Sequence, residues 1–375
     1  MQLSPVLADL AQYPFARLDD WKAEAQSRGI DLIDFGMGDP REITPAFIRE
    51  ALLTSVDEVS SYPRATGLPE LREAIAGWLD RRYAVRVDPD SEVIPTLGSK
   101  EAIFSFAQIA LGEKRLVAIP EPAYPVYERG TLFAGGAIAN VPLKESSGWL
   151  PDLDAFDRWD EIALFWVCYP NNPTGAVAPL SFYEELAERA REHGFLVCSD
   201  EAYSELWFDE PPTSALQVTD RTNVVVFNTL SKRSSMTGYR SGFVCAPAEI
   251  IAALRSFRPT VGTAPQEFVQ RASVAAWSDD GHVEGVRALY KRKRDTLLPA
   301  LEAGGLRLAG SDATFYLWVD VGGPSEPFCR RLLEQGIVAA PGSFFGAAGE
   351  GYARFALVPT QAECERAAEI LREIL

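Results

Sequence analysis

Short apolar runs alternate with amphipathic helical stretches along most of this chain, and the alternation restricts the architectures open to it. Residues 115–119, 162–167, 194–198 and 223–227 are short, bounded runs rich in Val, Ile, Leu and Phe. Helical periodicity covers 71–83, 180–193 and 248–258 between or beside them. Strands separated by helices pair in parallel, so an α/β fold with a mostly parallel central sheet covered by helices is expected. After about Gln270 the pattern changes to a long helix through Lys291 and Arg294, strands around 315–319 and 352–357, and a last helix from Gln361. A chain of 375 residues exceeds the size at which one core stops growing. We therefore expect a large domain at 46–270 and a smaller α/β domain formed by both chain ends, 1–45 and 271–375.

Composition excludes several functions. No apolar run approaches membrane-spanning length. The start, Met1 to Pro5, lacks the basic and apolar regions of a signal peptide, and Asp9, Asp19 and Asp20 argue against a transit peptide, so a cytoplasmic protein is expected. Five scattered cysteines without metal spacing read as reduced core thiols. With only His193 and His282, neither a histidine-rich metal site nor a Ser/His triad is expected. A net charge of −17 argues against nucleic acid and anionic membranes as partners. Anionic ligands must then be met by local cations, for which Lys100, Lys232, Arg240 and Arg354 are the candidates.

The richest segment is 228–240, where Lys232 stands between hydroxyls and Arg240 follows. A lysine amine can form a Schiff base with an aldehyde, while the hydroxyl of Thr229 or Ser231 and the guanidinium of Arg240 can grip a phosphate dianion. Pyridoxal phosphate meets both demands. Upstream, Asp200 ends an apolar run with Tyr203 three places on; the carboxylate either caps a following helix or faces a protonated pyridine nitrogen. Residues 96–102 open a helix either with an ordinary Ser99 cap or as a phosphate cradle of free N–H groups. The dipeptides in 169–175 announce a turn and, alone, nothing more.

Taken together and in order, these segments resemble those of the class I/II aminotransferases, fold-type I pyridoxal-phosphate enzymes. The resemblance covers essentially the whole chain and implies a role for each position. Lys232 would bind the cofactor and then move the substrate Cα proton, Asp200 would keep the ring nitrogen protonated, and Tyr203 and Asn172 would bond the ring's phenolic oxygen. Ser99, the Lys100 backbone, Thr229, Ser231 and Arg240 would hold the phosphate, and Tyr124 would stack on the ring. Tyr62 would reach the phosphate in a neighbouring subunit, implying a homodimer with a shared active site. Gly38 and Arg354 would take the substrate α-carboxylate, supported by the loop 341–346. Substrates would be a small amino acid and an oxo acid, with no metal.

Residues 36–40 with Thr44 and Pro45, and 230–243, are further similar to the succinyldiaminopimelate aminotransferases of bacterial lysine biosynthesis. That likeness implies glutamate as donor and a long acidic acceptor, with Arg64 or Arg258 as candidate distal cations. Thr229 departs from the serine usual in the family, and its hydroxyl should still reach a phosphate. Aspartate or aromatic aminotransferases and a carbon–sulfur lyase share this machinery. A regulator on the same fold would ordinarily carry an added DNA-binding domain, for which the chain has neither length nor basic segment.

Overall fold

The computed structural model describes residues 4–9, 12–59 and 61–375; Met1 to Leu3 and the Asp9 side chain lie outside the description. A first short strand, β1 (Ile33–Asp34), is followed by the seven strands of one large sheet: β2 (Val93–Thr96), β3 (Leu116–Glu121), β4 (Ala137–Pro142), β5 (Ile162–Cys168), β6 (Leu196–Asp200), β7 (Val224–Thr229) and β8 (Gly242–Cys245). Their order is β2-β8-β7-β6-β5-β3-β4, and only β8 runs against its neighbours. The sheet is thus mostly parallel, as the alternation predicts. Every residue of β5 and β7 is buried, the continuous apolar run that a strand covered on both faces requires.

The helices that cover the sheet begin and end where local chemistry dictates. Leu180–His193 stops at Gly194, which takes φ +68 and returns its N–H to the Ala190 carbonyl, a left-handed stop that only glycine adopts without a Cβ penalty. Ala248–Phe257 ends one residue before the sequence expectation. Arg258 instead turns its side chain into the protein. Helices Pro69–Tyr83 and Glu267–Ser278 meet through Trp78 and Trp277, whose ring centroids are 4.6 Å apart.

Beyond the long helix Gly281–Ala303, strands β9 (Arg307–Gly310), β10 (Tyr316–Asp320), β11 (Ile337–Val338), β12 (Ala340–Pro341) and β13 (Tyr352–Ala356) follow. Four of them form an antiparallel sheet in the order β12-β13-β10-β9, while β11 pairs with β1. The final helix Gln361–Ile374 opens with a capping box between Thr360 and Glu363. The pairing of Ile33 with Ile337, and the bonds from Phe35 N to Val338 O and from Ala356 N to Phe35 O, lay the N-terminal segment against β13. That contact carries residues 36–39 to the mouth of the large sheet. Among the described residues no helix is long and apolar enough to cross a membrane, and all five cysteines are free and buried.

Candidate active site

Strands β2, β5, β6 and β7 are mutually parallel, so the loops at their C-terminal ends open on one side of the sheet, where ligands of open α/β sheets bind. There a cavity of about 450 Å³ is lined by Gly38, Ser99, Lys100, Tyr124, Asn172, Asp200, Tyr203, Thr229, Ser231, Lys232, Arg240 and Arg354. Of the site residues expected from sequence, Tyr62 and the two candidate distal cations, Arg64 and Arg258, stand outside it, Tyr62 fully exposed at the surface.

Lys232 sits on a four-residue helix, Leu230–Arg233, whose first turn is fixed by Thr229: its Oγ1 accepts from Ser231 N at 3.1 Å and donates to Ser241 O at 2.9 Å. Burial lowers the amine's pKa to about 8; Asp39 opposes the shift, and Arg354, Arg240 and Lys100 reinforce it. A good part of the amine is therefore neutral near pH 8 and competent as a nucleophile. It donates to the Gly38 carbonyl.

Asp200 ends β6, and only turns follow it, so the helix-cap alternative falls. Its Oδ2 accepts from the Tyr127 hydroxyl at 2.8 Å and its Oδ1 from Ala202 N at 3.2 Å, and burial pushes the carboxyl up to about 6. No cation pairs with it among the described residues. A protonated pyridine nitrogen would supply the missing partner.

The opposite end of the cavity is cationic. Helix Gly98–Ala110 begins without a side-chain cap, so Ser99 is not an ordinary N-cap and the helix's leading N–H groups stay open. Gly98 (φ +72) packs against the Arg240 guanidinium, which donates to Leu97 O at 3.0 Å and Thr237 O at 2.9 Å. With the Thr229 and Ser231 hydroxyls, this cradle suits a phosphate dianion. Nucleophilic amine, buried carboxyl and phosphate cradle together fit pyridoxal phosphate.

Arg354, on β13, is fully buried rather than a surface charge. Its Nη1 donates to Asn172 Oδ1 and its Nη2 to Gly36 O, both at 2.8 Å, while the rings of Tyr316, Phe345 and Phe15 surround it 4.2, 4.6 and 5.4 Å from Cζ. The Nε has no partner among the described residues. Asn172 thus spends its oxygen on the arginine and keeps its NH₂ for another acceptor. Tyr203 bonds the Tyr316 hydroxyl at 2.7 Å.

Several cavity groups escaped the sequence reading. Tyr127 is the donor to Asp200, Tyr316 bridges Tyr203 and Arg354, and Tyr13, Phe15, Asp39 and Thr237 line the wall. Tyr127 lay within the quoted 122–127 segment; nothing local marks Tyr316. One of the two proposed distal cations needs correction. Arg258 is buried off the cavity wall, its Nη1 donating to both Glu101 oxygens at 2.8 Å, whereas Arg64 is exposed, as Tyr62 is. Nothing local in the sequence marks Glu101, 157 residues away, as the partner of Arg258.

This fold and this site define a pyridoxal-phosphate enzyme of fold type I. The family model for aminotransferase class I and II matches residues 30–371, and the chain belongs to that family of enzymes. It is 39% identical over 376 residues to an LL-diaminopimelate aminotransferase of Oleidesulfovibrio alaskensis, covering 97% of each chain, and 41% identical over 380 residues to that of Aquifex aeolicus, covering 98% of each. Among solved structures it is similar to a probable N-succinyldiaminopimelate aminotransferase from Thermus thermophilus, with TM-score 0.89, 32% identity and coverage of 96% of this chain and 100% of that one.

Proposed function

We propose that this aminotransferase moves an amino group between a diaminopimelate-type amino acid and an oxo acid, in lysine biosynthesis. The observation that carries this reading is the surplus charge in the cavity. Arg240 serves the phosphate, Arg354 the α-carboxylate and Lys232 the chemistry, which leaves the Lys100 ammonium, within 5.5 Å of the Tyr13 ring centre and 5.9 Å of that of Tyr124, for a distal carboxylate. Asp39, also on the wall, can meet a distal ammonium. LL-Diaminopimelate carries both groups at its far end, whereas its succinyl derivative replaces the ammonium by an amide. The names of the relatives favour the unmodified compound over the succinylated one expected from sequence.

Pyridoxal phosphate, when bound, supplies the aldehyde that takes up the amino group and the ring that withdraws electrons from Cα. The protein residues do the rest. Arg354 and Gly38 would orient the α-carboxylate, and the Lys232 amine, on the same cavity wall, would serve as the base for the Cα proton and as the acid that gives it back. Asp200 would hold a proton at the ring nitrogen, and Asn172, with Tyr203, would donate toward the phenolic oxygen.

We also read residues 46–270 as the large domain and 1–45 with 271–375 as the small one. The chain would act as a homodimer: fully exposed Tyr62 stands beside exposed Val59, Val56 and Leu53, a surface suited to a second copy. There Tyr62 would reach the neighbouring cofactor phosphate.

The test follows the cofactor's visible band in purified protein offered LL-diaminopimelate, N-succinyl-LL-diaminopimelate, glutamate and aspartate, then 2-oxoglutarate. Loss of the band with LL-diaminopimelate and its return with the oxo acid are expected. Response to aspartate or the succinyl compound alone would overturn the substrate assignment, and release of pyruvate and ammonia from a cysteine conjugate without any oxo acid would mark a lyase.

A further inference from the structure

The two residues after Lys232 leave the cavity and grip the joint between helices Glu267–Ser278 and Gly281–Ala303. Arg233, fully buried, donates from Nη1 to Ala276 O at 2.7 Å and from Nη2 to Asp279 O at 2.9 Å and Asp280 Oδ1 at 2.7 Å. Ser234 Oγ lies 2.8 Å from His282 Nε2, and His282 Nδ1 lies 2.6 Å from Asp279 Oδ1, which also accepts from His282 N at 3.0 Å. This is the Ser–His–Asp order of a hydrolase, from a chain whose two histidines made such a set unexpected. Ser234 is completely buried and off the cavity wall, so it cannot act as a nucleophile.

The hydrogen bonds fix the proton positions. Bonds from His282 hold the Asp279 carboxyl below its ordinary range, so it is an ionised acceptor. Nδ1 must then carry the hydrogen, Nε2 must be bare, and the Ser234 hydroxyl must donate. The other groups facing the imidazole are the charges of Arg233 and Asp280 and the ring of Phe47, 5.5 Å away between centroids. A second proton on the ring would turn Ser234 into an acceptor and strand its own hydrogen, because its other neighbour, Arg233 Nη1 at 3.4 Å, is a donor.

We propose that the Ser234–His282–Asp279 chain is a positioning device for Lys232: neutral, Nδ1-protonated His282 pins the end of the lysine's single helical turn to the interhelical joint and so sets where the amine stands in the cavity. Ser234 is two residues from Lys232, about 3 Å of helix rise, over which one turn transmits a displacement almost undiminished. The inference rests on reading Lys232 as the cofactor lysine.

Two measurements test it. Nitrogen-15 NMR of the cofactor-loaded protein resolves its two imidazoles, and a His193→Gln variant assigns them. Neutral His282 with hydrogen on Nδ1 is expected, and the Nε2–H form would overturn the proposal. Stopped-flow absorbance then follows capture of added pyridoxal phosphate by the cofactor-free protein. His282→Ala and Ser234→Ala should each slow capture about tenfold, as misplacing a reacting group does, and His282→Gln, whose amide oxygen can accept from Ser234, should regain most of the rate. Equal capture by His282→Ala and wild type, or slowing by His282→Gln as severe as by His282→Ala, would reduce the chain to a structural tie. If Lys232→Ala still forms the wild-type visible band, the assignment of Lys232 itself fails; a band lost there with capture by His282→Ala unaffected sinks the positioning role of the Ser234–His282–Asp279 chain alone.

Discussion

Arg354 Nη1 donates to Asn172 Oδ1 at 2.8 Å, joining positions 182 residues apart. One bond thereby couples the group that would hold the substrate α-carboxylate to the amide that would bond the cofactor's phenolic oxygen. Arg354→Lys removes the fork and leaves the asparagine free to rotate. We expect kcat/KM for amino acids to fall about 10²- to 10³-fold, the loss of a buried charge-assisted pair. Steady-state kinetics against a matching amine without the carboxylate should show little further loss; an equal loss with that amine would refute the assignment.

Lys232 has a pKa held down at about 8 by burial. Its folded value lies below the ordinary 10.5, so the buried charge costs stability below pH 8 and the cost is relieved as pH rises from 8 toward 10.5. Thermal melts of cofactor-free protein should therefore show wild type gaining on Lys232→Met across that window. The same Lys232→Met variant should lack measurable turnover.

For Asp200 the sign is reversed. Its folded value, about 6, lies above the ordinary 3.8, so the proton stabilises the fold at low pH and the benefit is lost as pH rises through 6. Asp200→Asn should raise the melting temperature of cofactor-free protein at pH 7.5 relative to wild type, with the difference vanishing near pH 4. Loaded with cofactor at pH 7.5, the variant should melt below wild type. A variant that gains equally in both forms would show that the carboxylate has no cationic partner in the loaded protein.

Gly38 has no room for a Cβ, which would strike the Tyr316 hydroxyl. Gly38→Ala should push the loop outward, weaken the Tyr203–Tyr316 bond and lower kcat/KM about tenfold or more. Tyr316→Phe in the same chain should recover part of the loss, because it removes the clashing oxygen.

Local chemistry made the sheet and half of the cavity legible. The apolar run 162–167 reads as a strand and lies within Ile162–Cys168, and helical periodicity over 180–193 matches the helix Leu180–His193. The 228–240 segment displayed amine, hydroxyls and guanidinium close together because one loop between two neighbouring strands carries them all. What escaped was non-local. Tyr316 earns its place only through a partner 113 residues away and a guanidinium on the adjacent strand. The reversed direction of β8 likewise leaves no trace in a strand's composition, since burial on both faces selects the same residues whichever way the strand runs.

The groups that would face the cofactor's phosphate and ring come from the large sheet, whereas Gly38, Tyr316 and Arg354 arrive on the segments that β1, β10 and β13 hold together. A small shift of these terminal segments against the large sheet would consequently move the bound α-carboxylate relative to the Lys232 amine while leaving the proposed cofactor contacts in place.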